Sequence, residues 1–152
     1  MPRSIDSILL AAGPSDRDHV DTLLDEALAV AAPTGATVHL LHVFPRNEYE
    51  DLLEQMQIES AGGTIPPDEL AARHDSISTP AARLEESDVD YEILGVIGDP
   101  DSEIVRMAND LDVDRIVIGG ASRSPAGKAV FGDHAQQVLL NGSCPVMYVQ
   151  RD

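Results

Sequence analysis

The chain has 152 residues, 43% of them apolar, and a formal net charge of −17 from 27 acidic and 10 basic side chains. That length suits one domain over residues 1–152, able to bury most of its apolar surface in a single core. No apolar run approaches the roughly 18–20 residues that cross a bilayer, and so acidic a chain lacks the basic face that displaces counterions from nucleic acid; neither a membrane nor nucleic acid is expected as a partner.

The start, Met1-Pro-Arg-Ser-Ile-Asp, runs directly into a strand pattern without the apolar stretch and cleavage site of a signal peptide, so a cytoplasmic protein is expected. Ile8-Leu-Leu-Ala-Ala12 is a short apolar run closed by Gly13-Pro14, the pattern of a buried strand and a turn. Val20, Leu23, Leu24, Ala27, Leu28 and Ala31 then recur at helical spacing, and Pro33-Thr-Gly35 ends that helix. Thr37 to Phe44 is a second strand rich in branched residues.

Residues 45–65 read as an irregular, mobile excursion over the sheet edge. Arg46 to Glu59 offers an acidic helix through Leu52, Leu53 and Met56, but Gly62-Gly63 and Pro66-Pro67 interrupt it. A helix is expected after Pro67, with Asp68 and Glu69 at its positive end, and Pro80 is expected to interrupt its run to Glu86.

Val89 to Ile97 is a third strand, with Gly98-Asp-Pro100 as its exit. Ile104, Val105, Met107, Ala108 and Leu111 mark a helix, and Asp114 to Gly119 a continuous apolar strand. After a loop from Gly120 to about Val130, Ala135, Val138 and Leu139 mark another helix, and Val146 to Val149 a last strand. Cys144, the single cysteine, reads as a small buried hydrophobe. Strands alternating with helices imply an α/β fold: a three-layer, Rossmann-like open parallel sheet of five strands with helices on both faces. Ligands of such sheets bind outside the carboxyl ends of the strands, where strand order reverses.

The loop from Ile118 to His134 converges on that place. Its glycines permit close backbone approach to a phosphate, and Arg123 and Lys128 are the only charges between Arg115 and Asp133. Two readings stand open: a cradle for an anionic ligand, or a glycine-rich connection whose cations balance nearby acids. It is not a Walker A loop, since six residues separate Gly120 from Gly127 where four are required, and Ala129 follows the lysine. The dinucleotide fingerprint is absent as well. The histidines suggest no catalyst: His39 and His42 point to opposite faces of a strand, His19 and His74 fall on helix surfaces, and His134 adjoins the loop. With no nucleophile beside a base, no paired carboxylates and no metal-ligand cluster at usable spacing, an enzyme is not expected.

The loop's spacing resembles that of the universal stress proteins, whose nucleotide-binding members carry glycine, two residues, glycine, nine residues, glycine, then Ser or Thr. Gly119 and Gly132 keep the outer spacing, with Ser122 at the second glycine position and Asp133 at the hydroxyl position. The resemblance covers nearly the whole chain, through Ile8-Leu-Leu, Leu41-His-Val43, Gly98-Asp-Pro, Ile116-Val-Ile-Gly119 and Cys144-Pro-Val. It implies a fold like that of the adenine-nucleotide alpha hydrolases and a small stress-response binding protein. It also implies a site for ATP or a related nucleotide, with Mg²⁺, formed by Ala11, Ala12, Gly13, Val43, Ile118, Gly119, Ser122, Gly132, Asp133 and His134; Arg123 and Lys128 would add positive charge. Gly13 stands where those members have an Asp, and the Asp133 carboxylate would repel a phosphate about 4 Å away by roughly 1–4 kcal/mol. The resemblance therefore implies an alternative too: a dimeric interaction module without nucleotide, paired through Val146, Met147, Tyr148 and Val149. Seventeen Asp and a single Lys look like proteins of a salt-adapted archaeon.

Overall fold

The computed structural model describes residues 4–12, 19–55, 67–120 and 135–150. Along them run β1 (Ser7–Ala11), α1 (Val20–Thr34), β2 (Thr37–Phe44), α2 (Arg46–Gln55), α3 (Pro67–Arg73), α4 (Asp75–Glu86), β3 (Tyr91–Ile97), α5 (Pro100–Leu111), β4 (Arg115–Gly120), α6 (Ala135–Asn141) and β5 (Val146–Gln150). The strands form one parallel sheet in the order β3-β2-β1-β4-β5.

Side chains alternate across a strand, so an unbroken apolar run feeds two cores at once. Ile8, Leu10, Leu40 and Val117 pack beneath α1 and α4 through Leu23, Leu24, Ile77 and Leu84. Leu9, Leu41, Ile116 and Ile118 pack on the other face against Ile104 and Ala108 of α5 and Val138 of α6. The expected three-layer sheet with helices on both faces is therefore the observed one.

Helix α1 buries the stripe its spacing predicts: Val20, Leu23, Leu24, Ala27 and Ala31. Pro33 is accommodated in its last turn, and Gly35 closes it in the left-handed conformation (φ 74°), donating its amide to the Ala31 carbonyl. Helix α5 starts within the expected turn out of β3, with Asp99 as N-cap and Pro100 in its first turn.

Two expectations need correction. Residues from Arg46 to Gln55 are a regular helix rather than an irregular excursion; the Pro45 carbonyl takes the Tyr49 amide at 3.0 Å, and Tyr49 packs against Phe44. Residues 56–66 lie outside the described set. Between Pro67 and Glu86 the interruption falls at His74, not at Pro80. The His74 carbonyl accepts both the Ile77 and Ser78 amides, starting a new helix there. Pro80 then sits only one turn inside α4 and deprives it of a single backbone bond near its start.

Helix α3 covers the outer edge of β3. The Asp68 carboxylate accepts the Gly95 amide at 2.7 Å, a donor that an edge strand would otherwise present to water. Contact there is so close that a Cβ on Gly95 would lie 2.1 Å from the Pro67 carbonyl oxygen.

Candidate functional site

Strand order reverses between β1 and β4, because the chain runs outward from β1 to β2 and β3 before returning to the other side. The crevice at the carboxyl ends of those strands is the place where such sheets hold ligands. Ala11 lies beside Leu41, Leu10 beside Val117, and the Ala12 amide donates to the Leu41 carbonyl at 3.0 Å. Ala11, Val43 and Ile118, from three separate strands, meet in one apolar cluster on the α5 side. Ala12 packs into the opposite core, and Gly119 pairs with Val149 of β5.

Five residues expected at a nucleotide site are thus carried on the carboxyl halves of adjacent strands. Ala11, Val43 and Ile118 make a buried apolar floor on the α5 side, while Ala12 lies on the other face. Gly13, Ser122, Arg123, Lys128, Gly132, Asp133 and His134 lie outside the described residues.

At the opposite end of the sheet, a cavity of about 320 Å³ is lined by Leu84, Glu85, Asp88, Val89, Asp90 and Tyr91. Its three carboxylates make it repellent to a phosphate. The Tyr91 hydroxyl donates to Glu85 at 2.6 Å, and that bond holds the Tyr91 phenol above its ordinary pKa, with burial and the Glu85 charge adding to the effect.

β5 is an edge strand of the sheet. Val146 and Tyr148 are half-buried against the α5–α6 core, and Met147 and Val149 against the α1 core. On the neighbouring α6, Val138 is buried, whereas Leu139 and Leu140 are 37% and 72% exposed. Leu139, expected in the apolar stripe, therefore only borders it.

One constellation escaped the reading of the sequence. His39 and His42 do face opposite ways: His39 pairs with Glu92 at 3.0 Å near the surface, while His42 is fully buried. His74, expected on a helix surface, instead sits at the bend between α3 and α4 and stacks on His42, with ring centroids 4.2 Å apart and 25° between planes. Glu48 of α2 approaches both, its Oε1 lying 3.4 Å from His42 Nε2 and 3.9 Å from His74 Nε2. His42 Nδ1 lies 2.9 Å from the Ala12 carbonyl oxygen. A carbonyl can only accept, so Nδ1 carries the hydrogen and Nε2 is the atom turned toward Glu48. Positions 42, 48 and 74 belong to a strand and two different helical regions, and no spacing rule links them.

A sequence model described as the universal stress protein family matches residues 4–150. A universal stress protein of Mycolicibacterium smegmatis (strain ATCC 700084 / mc(2)155) is 32% identical over 94 residues, covering 61% of this chain and 72% of that protein. The structure of a universal stress protein in complex with cAMP aligns with a TM-score of 0.67 at 15% identity, covering 99% of this chain and all of the other. That of the universal stress protein from Archaeoglobus fulgidus in complex with dAMP aligns at 0.61 with 21% identity, covering 96% and 98%. These two likenesses establish the shared fold. No helix among the described residues is long and apolar enough to cross a membrane. With the family's sequence model spanning all but the ends of the chain, this protein belongs to the universal stress protein family.

Proposed function

We propose that this single-domain protein binds an adenine nucleotide at the carboxyl edge of the sheet, acting as a stress-response binding protein rather than as an enzyme. The observation that carries the reading is the meeting of Ala11, Val43 and Ile118 across the β1–β4 reversal, beside Ala12 and Gly119. The adenine ring would lie over this floor. Gly13, Ser122, Gly132, Asp133 and His134 would line the remaining pocket, and Arg123 and Lys128 would face the phosphates. Support comes from family structures that hold cAMP and dAMP. ATP is the proposed ligand, with Mg²⁺ between its phosphates and Asp133, where an uncompensated carboxylate would repel them. Titration calorimetry with Mg-ATP and with AMP tests this, at roughly 100 μM protein so that dissociation constants below about 1 mM are detectable. Heat with both ligands, weakened in Gly119→Val, is expected; no heat with either would refute the reading.

We further propose that the chain forms a homodimer through β5. An edge strand with apolar side chains, bordered by the exposed Leu139 and Leu140, calls for a cover. Tyr148→Lys should convert the dimer to monomer by sizing chromatography in molar salt, and a monomeric parent protein would count against it. The acidity, with 27 Asp and Glu against 10 Lys and Arg, supports a salt-rich cytoplasm, as in a salt-adapted archaeon.

A further inference from the structure

We propose that His42, Glu48 and His74 form a binding site for a zinc-class divalent metal ion, adjoining the proposed nucleotide site at Ala12. The argument starts from the fixed tautomer of His42. Its Nδ1–H is committed to the Ala12 carbonyl, so a neutral His42 turns the lone pair of Nε2 toward the Glu48 carboxylate 3.4 Å away. Two acceptors would then face each other at a fully buried histidine, an arrangement that either a proton or a metal ion between them satisfies. His74 Nε2 faces the same carboxylate oxygen at 3.9 Å, and the ligand atoms of all three residues lie within 4.8 Å of one another.

The dimensions suit a first-row metal. Zinc bonds of about 2.0–2.1 Å in tetrahedral geometry place ligand atoms about 3.3–3.4 Å apart, which the His42–Glu48 pair already meets. His74 must close in by up to about 1.5 Å and tilt out of its stack on His42, since in-plane lone pairs of near-parallel rings do not converge. His74 is partly buried at the bend between α3 and α4, outside the regular turns of either helix. Two imidazoles and one carboxylate favour zinc or cobalt over the all-oxygen preference of magnesium and calcium. The hydrogen bond from His42 Nδ1 to a backbone carbonyl is the outer-shell contact that orients metal-bound histidines. A bound ion would tie β2, α2 and the α3–α4 junction together and leave one coordination position for water.

The test is equilibrium dialysis of the chelator-stripped full-length protein against Zn²⁺ in excess Mg²⁺, which occupies the diffuse acidic surface. One retained zinc per chain is expected. Changes in the outer shell alone cost about 10–100-fold in affinity, so removing a ligand in Glu48→Gln or His74→Asn should cost at least about 100-fold. Titration of the unmutated protein with Co²⁺ gives a reading that does not depend on how the variants fold. A visible band of the strength typical of four- or five-coordinate cobalt is expected. Zinc uptake equal in parent and variants, or a cobalt spectrum like that of the aqua ion, would overturn the proposal. It would equally fall if nitrogen NMR showed His42 carrying a proton on Nε2 that added zinc does not displace, since the cation between His42 and Glu48 would then be a proton alone.

Discussion

Replacing Gly95 by alanine tests how α3 is held against the sheet. The added Cβ would lie 2.1 Å from the Pro67 oxygen, 2.5 Å from its carbonyl carbon and 3.0 Å from the Ala71 Cβ. Ordinary contact begins near 3.4 Å, so α3 must retreat by more than an ångström, and no rotamer change can relieve a collision between backbones. The retreat also stretches the 2.7 Å bond from the Gly95 amide to Asp68. Overpacking costs about 1–3 kcal/mol and occasionally more; with a weakened charged hydrogen bond added, about 3 kcal/mol is expected. For a chain of this size that lowers the melting temperature by about 6–12 °C. Urea unfolding of Gly95→Ala, Asp68→Ala and the double variant provides the assay. The double variant should lose less than the sum of the singles, because a displaced α3 has already given up the Asp68 bond. A Gly95→Ala protein within about 0.5 kcal/mol of its parent would show that α3 is not seated on β3 as described.

Asp114 accepts the amides of Asp6 and Ser7 at 2.7 and 3.2 Å, holding the start of β1 beside β4, and Asp114→Ala should lower stability in urea by about 1–2 kcal/mol. Arg83 joins α4 to α1 by reaching Asp21 and Asp25 at 3.2 and 2.7 Å, with side chains 37%, 66% and 62% exposed. Arg83→Ala should therefore cost no more than about 0.5–1 kcal/mol at low salt, an effect that disappears near 1 M salt, where the Debye length is about 3 Å. The Tyr91 phenol, held above its ordinary pKa first by its bond to Glu85, favours the folded state while protonated. That contribution is complete below about pH 10 and is lost as pH rises through the folded value, so Tyr91→Phe should flatten the alkaline decline in urea midpoints.

Most elements were legible because their signals are local. Ile8 to Ala12, Thr37 to Phe44 and Asp114 to Gly119 are short, largely apolar runs whose length and branched residues mark buried strands, and the spacing from Val20 to Ala31 fits one helical face. Gly35 and Asp99-Pro100 mark a helix end and a helix start with the chemistry those positions require. The break at His74 carries no such mark. Local rules pointed to Pro80, yet a proline one turn inside a helix costs a single bond, while the chain must turn where α3 leaves the β3 edge to cover the sheet face. Helix α2 was obscured by its acidic composition and by the interruptions after it.

The site divides in the same way. The sequence alone determined the parallel sheet, which strand-helix alternation imposes, and so made the carboxyl ends of β1, β2 and β4 the place where a ligand is expected. Only tertiary structure decided that Ala11, Val43 and Ile118, from three different strands, meet in one cluster. It alone brought His74, 32 residues beyond His42 in the chain, into a stack with it beside Glu48. Periodicity records which way each side chain leaves its own element; which side chains meet depends on how helices seat on the sheet, and that is set by packing between residues far apart in sequence.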